Sequence, residues 1–104
     1  IQWWIDDAAT DIHATRLMAY HAAWRMDQGA TDIRREAAML KVFGTEMVQR
    51  VADHAIQIHG GMGLAKEMPI EFMYRYIRVI RILEGASEVH RWTIARDLLR
   101  KGKR

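Results

Sequence analysis

Apolar residues recur at steps of three and four along most of this chain, a period that is typical of α-helices and not of strands. The first periodic segment runs from Ile1 to about Asp27, and Gly29 is expected to end it as a C-terminal glycine. This segment has two apolar stripes, so we expect other elements to contact it from more than one direction. The first stripe contains Ile1, Ile5, Ala8, Ile12, Ala19, Ala22, Ala23 and Met26, and the second contains Trp3, Ala14, Leu17, Met18 and Trp24.

A second helix is expected to begin at a cap formed by Thr31 or Asp32, because both side chains are common N-caps. Its apolar stripe extends to Ile58 and includes Gly44. A glycine inside a helix costs about 1 kcal/mol relative to alanine, so we expect a neighbouring helix to approach closely at Gly44. The whole stripe consists of Ala37, Leu40, Gly44, Met47, Val48, Val51, Ala55 and Ile58.

Two interruptions divide the rest of the chain. The first is residues 60–67, and Pro69 then suits the first position of a third helix, where a backbone N–H is not needed. The second is residues 84–86, after which Ser87 is expected to cap a fourth helix that ends at about Arg100. No segment alternates as a strand would, and short loops join antiparallel neighbours. We therefore predict an all-α fold, an up-down antiparallel four-helix bundle.

Composition narrows the class of protein. A chain of 104 residues without cysteine fits one domain that has no disulfide and no thiolate metal site. No apolar run is long enough to span a membrane, no signal peptide is visible, and the five histidines lack metal-ligand spacing. The opening residues Ile1–Trp4 are unusually apolar for a solvated terminus, so we expect residues 1–104 to be one domain of a longer chain.

Much of the net charge of +3 lies in residues 100–104, which we interpret as a solvated helix end and not a nucleic-acid site, because no aromatic residues interleave with the charges.

Two polar patterns are candidates for ligand binding. Residues 57–63 form a glycine-rich segment between two helices, and its accessible backbone N–H groups suit phosphate or pyrophosphate. A plain helix C-cap and turn is the more common explanation of such a segment. Arg75, Arg78 and Arg81 are spaced to share one helix face and could bind an anionic ligand or an acidic partner, although a solvated face is more common.

Glu84 is the candidate for proton transfer. This carboxylate follows the apolar run 79–83 at a helix break, and Gly85 beside it leaves the side chain accessible. A carboxylate in an apolar pocket has a raised pKa, as a general base requires. From the residues alone, a solvated loop glutamate is the more common case.

Four motifs occur in order along the chain: QIHGGMG at residues 57–63, YRYIR at 74–78, LEGASEVHR at 83–91 and IAR at 94–96. Their order and spacing resemble the C-terminal domain of acyl-CoA dehydrogenases over essentially the whole chain. The family pattern there is a QIHGGxG loop, a YRDAR-like helix, a YEGTSEIQR turn and an IAR-like ending. The chain departs from this pattern where Leu83 replaces the usual tyrosine, Ala86 replaces the usual threonine, and Tyr76 and Ile77 replace the Asp-Ala pair.

The resemblance implies a longer flavoprotein that carries FAD, assembles as a homodimer or homotetramer, and converts an acyl-CoA to a trans-2-enoyl-CoA. It implies electron-transferring flavoprotein as the acceptor and a bacterial cytoplasmic or mitochondrial matrix location, with no nucleic-acid or membrane partner. An acyl-CoA oxidase or a nitroalkane oxidase-like flavoenzyme on the same scaffold is an alternative. A third possibility is that the isolated chain is an assembly module without activity.

The resemblance also implies roles for individual residues. Glu84 matches the base that removes the substrate α-proton while the β-hydrogen leaves as hydride to flavin N5. The neighbours Leu83 and Gly85 match the substrate side of that turn. The remaining matches are to the cofactor: Gln57, Gly60 and Gly61 to the FAD of a neighbouring subunit, and Ala86 and Glu88 to the adenine side of FAD.

Overall fold

The structure is a computed structural model that describes residues 1–102, so Lys103 and Arg104 of the basic tail lie outside the described residues. Residues 1–102 contain four α-helices and no strand, which confirms the predicted all-α fold. None of these helices is both long and apolar enough to cross a membrane. The elements are α1 (Gln2–Asp27), α2 (Arg34–His59), a 3-10 turn (Gly60–Leu64), α3 (Pro69–Val79) and α4 (Ser87–Lys101).

Helix α1 packs antiparallel to α2. Near one end the Trp4 ring stacks on the His54 ring with their centroids 4.8 Å apart, and near the other end Arg25 pairs with Glu36. Between them, a methyl group added to Gly44 would lie 3.2 Å from Thr15 Cγ2. This contact confirms the close approach predicted at Gly44.

Helix α2 lies at the centre, because α1, α3 and α4 all contact it and, among the described residues, make no such contact with one another. Helix α4 runs antiparallel to α2, since Arg91 pairs with Glu46 and Asp97 pairs with Arg35. Helix α3 starts beside the 3-10 turn at the end of α2, and the chain returns to the middle of α2 where Arg81 meets Glu46. Helices α3 and α4 therefore follow one another along α2.

The core of this arrangement is thin. The molecule measures 54 × 24 × 23 Å, and its buried apolar residues are mostly alanines. No large side chain in residues 1–102 is fully buried, whereas Trp3, Trp24 and Trp92 are each more than half exposed. Exposed apolar surface on this scale is typical of a face that another protein surface covers. The buried apolar residues are Ala22, Ala38, Met47 and Ala52.

Gly29 ends α1 in the predicted way. Its φ of 82° is left-handed, its N–H donates to the Met26 carbonyl, and the Ala30 N–H donates to the Arg25 carbonyl. These two bonds form a Schellman motif, in which a left-handed glycine lets the chain satisfy the last carbonyls of the helix.

The predicted cap of α2 is wrong, because the helix begins later than expected. Ile33 occupies the cap position and provides no side-chain hydrogen bond. Asp32 lies one residue before it, and its carboxylate accepts the backbone N–H of Arg34 at 3.1 Å and the Arg34 guanidinium at 3.0 Å. This pairing with the Arg34 side chain keeps the pKa of Asp32 below its usual value. Thr31 is exposed and not part of the helix.

The cap of α4 is also displaced by one residue. Ala86 is the cap and Ser87 is the first helical residue, with its N–H donated to the Arg81 carbonyl at 3.2 Å. The Ser87 hydroxyl is buried and has no hydrogen-bond partner among the described residues. Pro69 does occupy the start of α3, as predicted.

Candidate active site

The turn between α3 and α4, residues 80–86, carries Glu84 and is called here the Glu84 turn. Glu84 has a φ of 56° and Gly85 has a φ of 93°, so two consecutive residues are left-handed. Glu84 is the one residue other than glycine with a positive φ in residues 1–102. This conformation is disfavoured for residues with a Cβ and costs of order 1 kcal/mol or more, so surrounding contacts must hold it.

One such contact comes from His90 in the first turns of α4. Its Nε2 lies 3.1 Å from the Glu84 carbonyl oxygen. A methyl group added to Gly85 would lie 2.7 Å from the same nitrogen, so the imidazole ring occupies the space beside Gly85. The φ of this position therefore favours glycine, and a larger residue would displace the His90 ring.

An ion cluster formed by Glu46, Arg81 and Arg91 ties both ends of the Glu84 turn to the middle of α2. Arg91 binds the Glu46 carboxylate through both of its terminal nitrogens, with Nη2 2.8 Å from Oε2, and Arg81 Nη2 lies 3.4 Å from Oε1. The hydrogen bonds from Arg91 and the charges of both arginines hold the pKa of Glu46 below its usual value, against the opposing effect of burial. The turn is thus fixed by side chains at both ends.

The Glu84 side chain is exposed and borders a cleft of about 490 Å³. Within residues 1–102 no apolar pocket encloses the Glu84 carboxylate, so it matches the solvated loop glutamate that the residues alone favour. Instead the cleft contains three cationic residues. Its lining residues are Arg34, Ala37, Ala38, Lys41, Glu84, His90, Thr93 and Arg96.

The glycine segment, residues 57–63, lies at the far end of α2. Gly60 ends the helix with φ 59° and ψ −141°, a conformation open to glycine alone. Gly63 is buried, and a methyl group there would lie 2.7 Å from the Ile56 carbonyl oxygen. Gly61 has neither constraint, since its φ is not left-handed and an added methyl group would meet nothing within 4 Å. Gln57 is exposed in the last turn of α2.

The predicted site residues therefore form two separate groups. Leu83, Glu84, Gly85, Ala86 and Glu88 are adjacent in the Glu84 turn and the first turn of α4, and Leu83 and Glu88 are exposed. Gln57, Gly60 and Gly61 are not near them. From Lys41, beside Glu84, to Gln57 the rise of the helix alone is about 24 Å.

The three arginines do not share one helix face. Arg75 pairs with Glu71 at 2.7 Å, whereas Arg81 lies beyond the end of α3 at Val79 and belongs to the Glu46 cluster. The three arginines therefore do not form the candidate anion-binding face, because the helix stops before Arg81.

Sequence reasoning missed His90 and Glu46, the residues that hold the Glu84 turn. His90 was within a recognised motif, but its contact with Glu84 depends on a left-handed turn that sequence spacing does not reveal. Glu46 lies 38 positions before Glu84 in the chain. The one available signal was a charged residue one helical turn after the apolar pair Val42 and Phe43.

Comparisons with known proteins agree with this arrangement. A family model described as acyl-CoA dehydrogenase, C-terminal domain, matches residues 1–99. The (R)-benzylsuccinyl-CoA dehydrogenase of Thauera aromatica is 52% identical over 103 residues, which are 99% of this chain and 25% of that protein. The mitochondrial very long-chain specific acyl-CoA dehydrogenase of Homo sapiens is 45% identical over 92 residues, 88% of this chain and 14% of that protein.

A solved structure shows the same fold. A chain from a structure of the electron transferring flavoprotein of Acidaminococcus fermentans, concerned with flavin-based electron bifurcation, aligns with a TM-score of 0.90 at 36% identity. The alignment covers 95% of this chain and 26% of that one. The chain thus spans about a quarter or less of the length of these relatives, which include a bacterial and a mitochondrial protein.

Proposed function

The chain belongs to the acyl-CoA dehydrogenase family through this C-terminal domain, and on that premise we propose that it supplies the catalytic base of an FAD-dependent enzyme that desaturates acyl-CoA thioesters. The observation that carries the proposal is the Glu84 turn. A carboxylate is held on a strained, clamped backbone and exposed to a cleft, at the position where the family motif has its base. Strained backbone of this kind is common at functional sites.

The proposed chemistry removes two hydrogens from neighbouring carbons. Glu84 takes the α-proton on a carboxylate oxygen, and the electron pair of that C–H bond forms the Cα–Cβ double bond. When bound, FAD accepts the hydride that leaves the β-carbon. The α-proton of a thioester is only weakly acidic, so the base must be fixed in place and shielded from water. Leu83 and Gly85 flank the base, and the exposed Leu83 side chain would supply one apolar wall.

The glycine segment suits a bound FAD. Gly61 is open and no contact within residues 1–102 requires a glycine there, which is consistent with close approach of a group from outside the chain. Exposed Gln57 and Gly60 lie beside it. Because Gln57 lies about 24 Å along α2 from Lys41, which lines the same cleft as Glu84, we propose that this group contacts the FAD of a neighbouring subunit, while Ala86 and Glu88 contact the FAD next to Glu84.

The partners follow from the same premise. We propose a homodimer or homotetramer, which the exposed apolar surface supports, and electron-transferring flavoprotein as acceptor, which the Acidaminococcus fermentans structure supports. We propose that the protein acts in the bacterial cytoplasm or the mitochondrial matrix. Bacterial and mitochondrial relatives support this location.

The test is Glu84→Gln in the full-length flavoprotein. We expect turnover of acyl-CoA to fall by at least about 100-fold, the usual contribution of a general base, while FAD content stays unchanged. Glu67→Gln, an exposed carboxylate outside the site, is the matched control and should keep its activity. Normal turnover by the Glu84 variant would exclude Glu84 as the base.

A further inference from the structure

The backbone at Glu84 determines where its carboxylate points. Its φ of 56° directs the side chain differently from the ordinary helical or extended conformations, and both of those are favoured for glutamate. If Glu84 is the base, something must keep this conformation populated.

His90 is placed to do so. It is the fourth residue of α4. Side chains on a helix lean toward its N-terminus, so the ring extends back over the residues before the helix. Its Nε2 lies 3.1 Å from the Glu84 carbonyl oxygen, and in residues 1–102 this is the one hydrogen bond that this carbonyl forms.

The hydrogen-bond acceptor determines which nitrogen of the His90 ring carries the hydrogen. A carbonyl oxygen can only accept a hydrogen bond, so Nε2 must carry the hydrogen and donate it. The ring also contacts the next residue closely, because a methyl group on Gly85 would lie 2.7, 3.2 and 3.3 Å from three of its atoms. The imidazole therefore holds the Glu84–Gly85 peptide both by a hydrogen bond and by contact.

We propose that His90 is a positioning residue for Glu84: its Nε2–H fixes the Glu84 carbonyl and thereby the left-handed backbone that presents the carboxylate to the cleft. The proposal rests on the proposed function of Glu84 as base. His90 does not exchange a proton with substrate in this account. Its effect depends on a donor at the position of Nε2 and not on charge.

The experiment compares three His90 variants of the full-length flavoprotein. His90→Gln keeps an N–H donor that can reach the Glu84 carbonyl, His90→Leu removes the donor at similar size, and His90→Asn keeps an amide that is too short to reach it. His13→Leu, at an exposed position on α1, is the control. For each protein we would measure kcat, KM, the isotope effect from α-deuterated acyl-CoA, and the Glu84 φ in a crystal structure.

We expect kcat to fall by about tenfold in His90→Leu and His90→Asn, near the upper end of what one net hydrogen bond contributes, with KM changed by less than about threefold. The isotope effect should rise in both, because proton removal becomes slower. His90→Gln should stay within about threefold of the natural protein. A loss through general unfolding would not give this pattern, since the glutamine variant would not rescue it and the isotope effect would not rise.

Two kinetic results would overturn the proposal. One is unchanged kcat and isotope effect in both His90→Leu and His90→Asn, and the other is a His90→Gln variant as slow as they are. If the natural protein turns over no acyl-CoA, the proposed function fails, and the crystal structures then decide the role of His90 alone. A Glu84 φ that stays near +56° without the donor would refute it, and a φ that becomes negative would support it.

Discussion

The Glu84 turn and the glycine segment both interrupt helices, but different groups hold them. The Glu84 turn is held by side chains, with His90 on the Glu84 carbonyl and the Glu46 cluster on both flanks. The glycine segment is shaped mainly by backbone, through the conformation of Gly60 and the contact of Gly63 with Ile56. The first region therefore fixes the backbone of a carboxylate residue, whereas the second leaves Gly60 and Gly61 exposed.

The largest effect on stability is expected in the glycine segment. Gly63→Ala places a methyl group 2.7 Å from a backbone oxygen of α2, which cannot move without bending the helix. We expect the free energy of unfolding to fall by about 2–3 kcal/mol, the range for overpacked sites, as measured by urea unfolding of the full-length protein. A change below about 0.5 kcal/mol would mean that this turn adjusts freely.

Gly85→Ala tests the Glu84 turn in the same way. The added methyl group meets the flexible His90 ring and not backbone, so the ring can move aside. Moving aside breaks its hydrogen bond to the Glu84 carbonyl. The left-handed φ adds strain, and we expect a loss of about 1–2 kcal/mol. Turnover should fall by more than the loss of folded protein explains. A fall in turnover that only matches the loss of folded protein would show that His90 does not position Glu84.

Glu46→Gln weakens the ion cluster of Glu46, Arg81 and Arg91 without changing a residue of the Glu84 turn itself. We expect a loss of about 1 kcal/mol at neutral pH, since Glu46 is partly buried and binds two arginines. Because the folded-state pKa of Glu46 is lowered, the stabilisation is present above its usual pKa of 4.5 and is lost as the pH falls through the folded value. The difference between the two proteins should therefore shrink below about pH 4.5, and a difference that grows there would contradict the ion cluster.

The smallest effect on stability is expected for Gly61→Ala. Nothing lies within 4 Å of the added methyl group, so the free energy of unfolding should change by less than about 0.5 kcal/mol. If a cofactor approaches this surface, FAD retention on gel filtration should nevertheless decrease. Normal FAD retention would remove the support that Gly61 gives to the proposed FAD contact. Gly63→Ala is the comparison variant, because it is expected to lower stability whereas Gly61→Ala is not.

The elements could be predicted from the sequence because periodicity and helix ends are local. Gly29, Gly44 and Pro69 each have the role that was expected of them. The caps were displaced by one residue because Asp32 and Ser87 have common cap side chains, while the turn geometry placed Ile33 and Ala86 there.

The candidate site was only partly predictable. Glu84 and its neighbours share one short segment, so a motif could identify them. His90 and Glu46 act through a left-handed turn and through contacts between helices, and neither leaves a periodic signal. Within residues 1–102 the Glu84 side chain is exposed to its cleft, which is the solvated loop position that the residues alone favoured.

The central claim is that Glu84 removes the α-proton, and exchange of that proton tests it directly. The full-length protein would be incubated in D2O with 3,3-dimethylbutanoyl-CoA, which has α-hydrogens but no β-hydrogen to lose as hydride, and deuterium at the α-carbon would be followed by NMR. The account predicts exchange with the natural protein and with Glu67→Gln, and at least about 100-fold slower exchange with Glu84→Gln. Exchange at the natural rate in Glu84→Gln would contradict it.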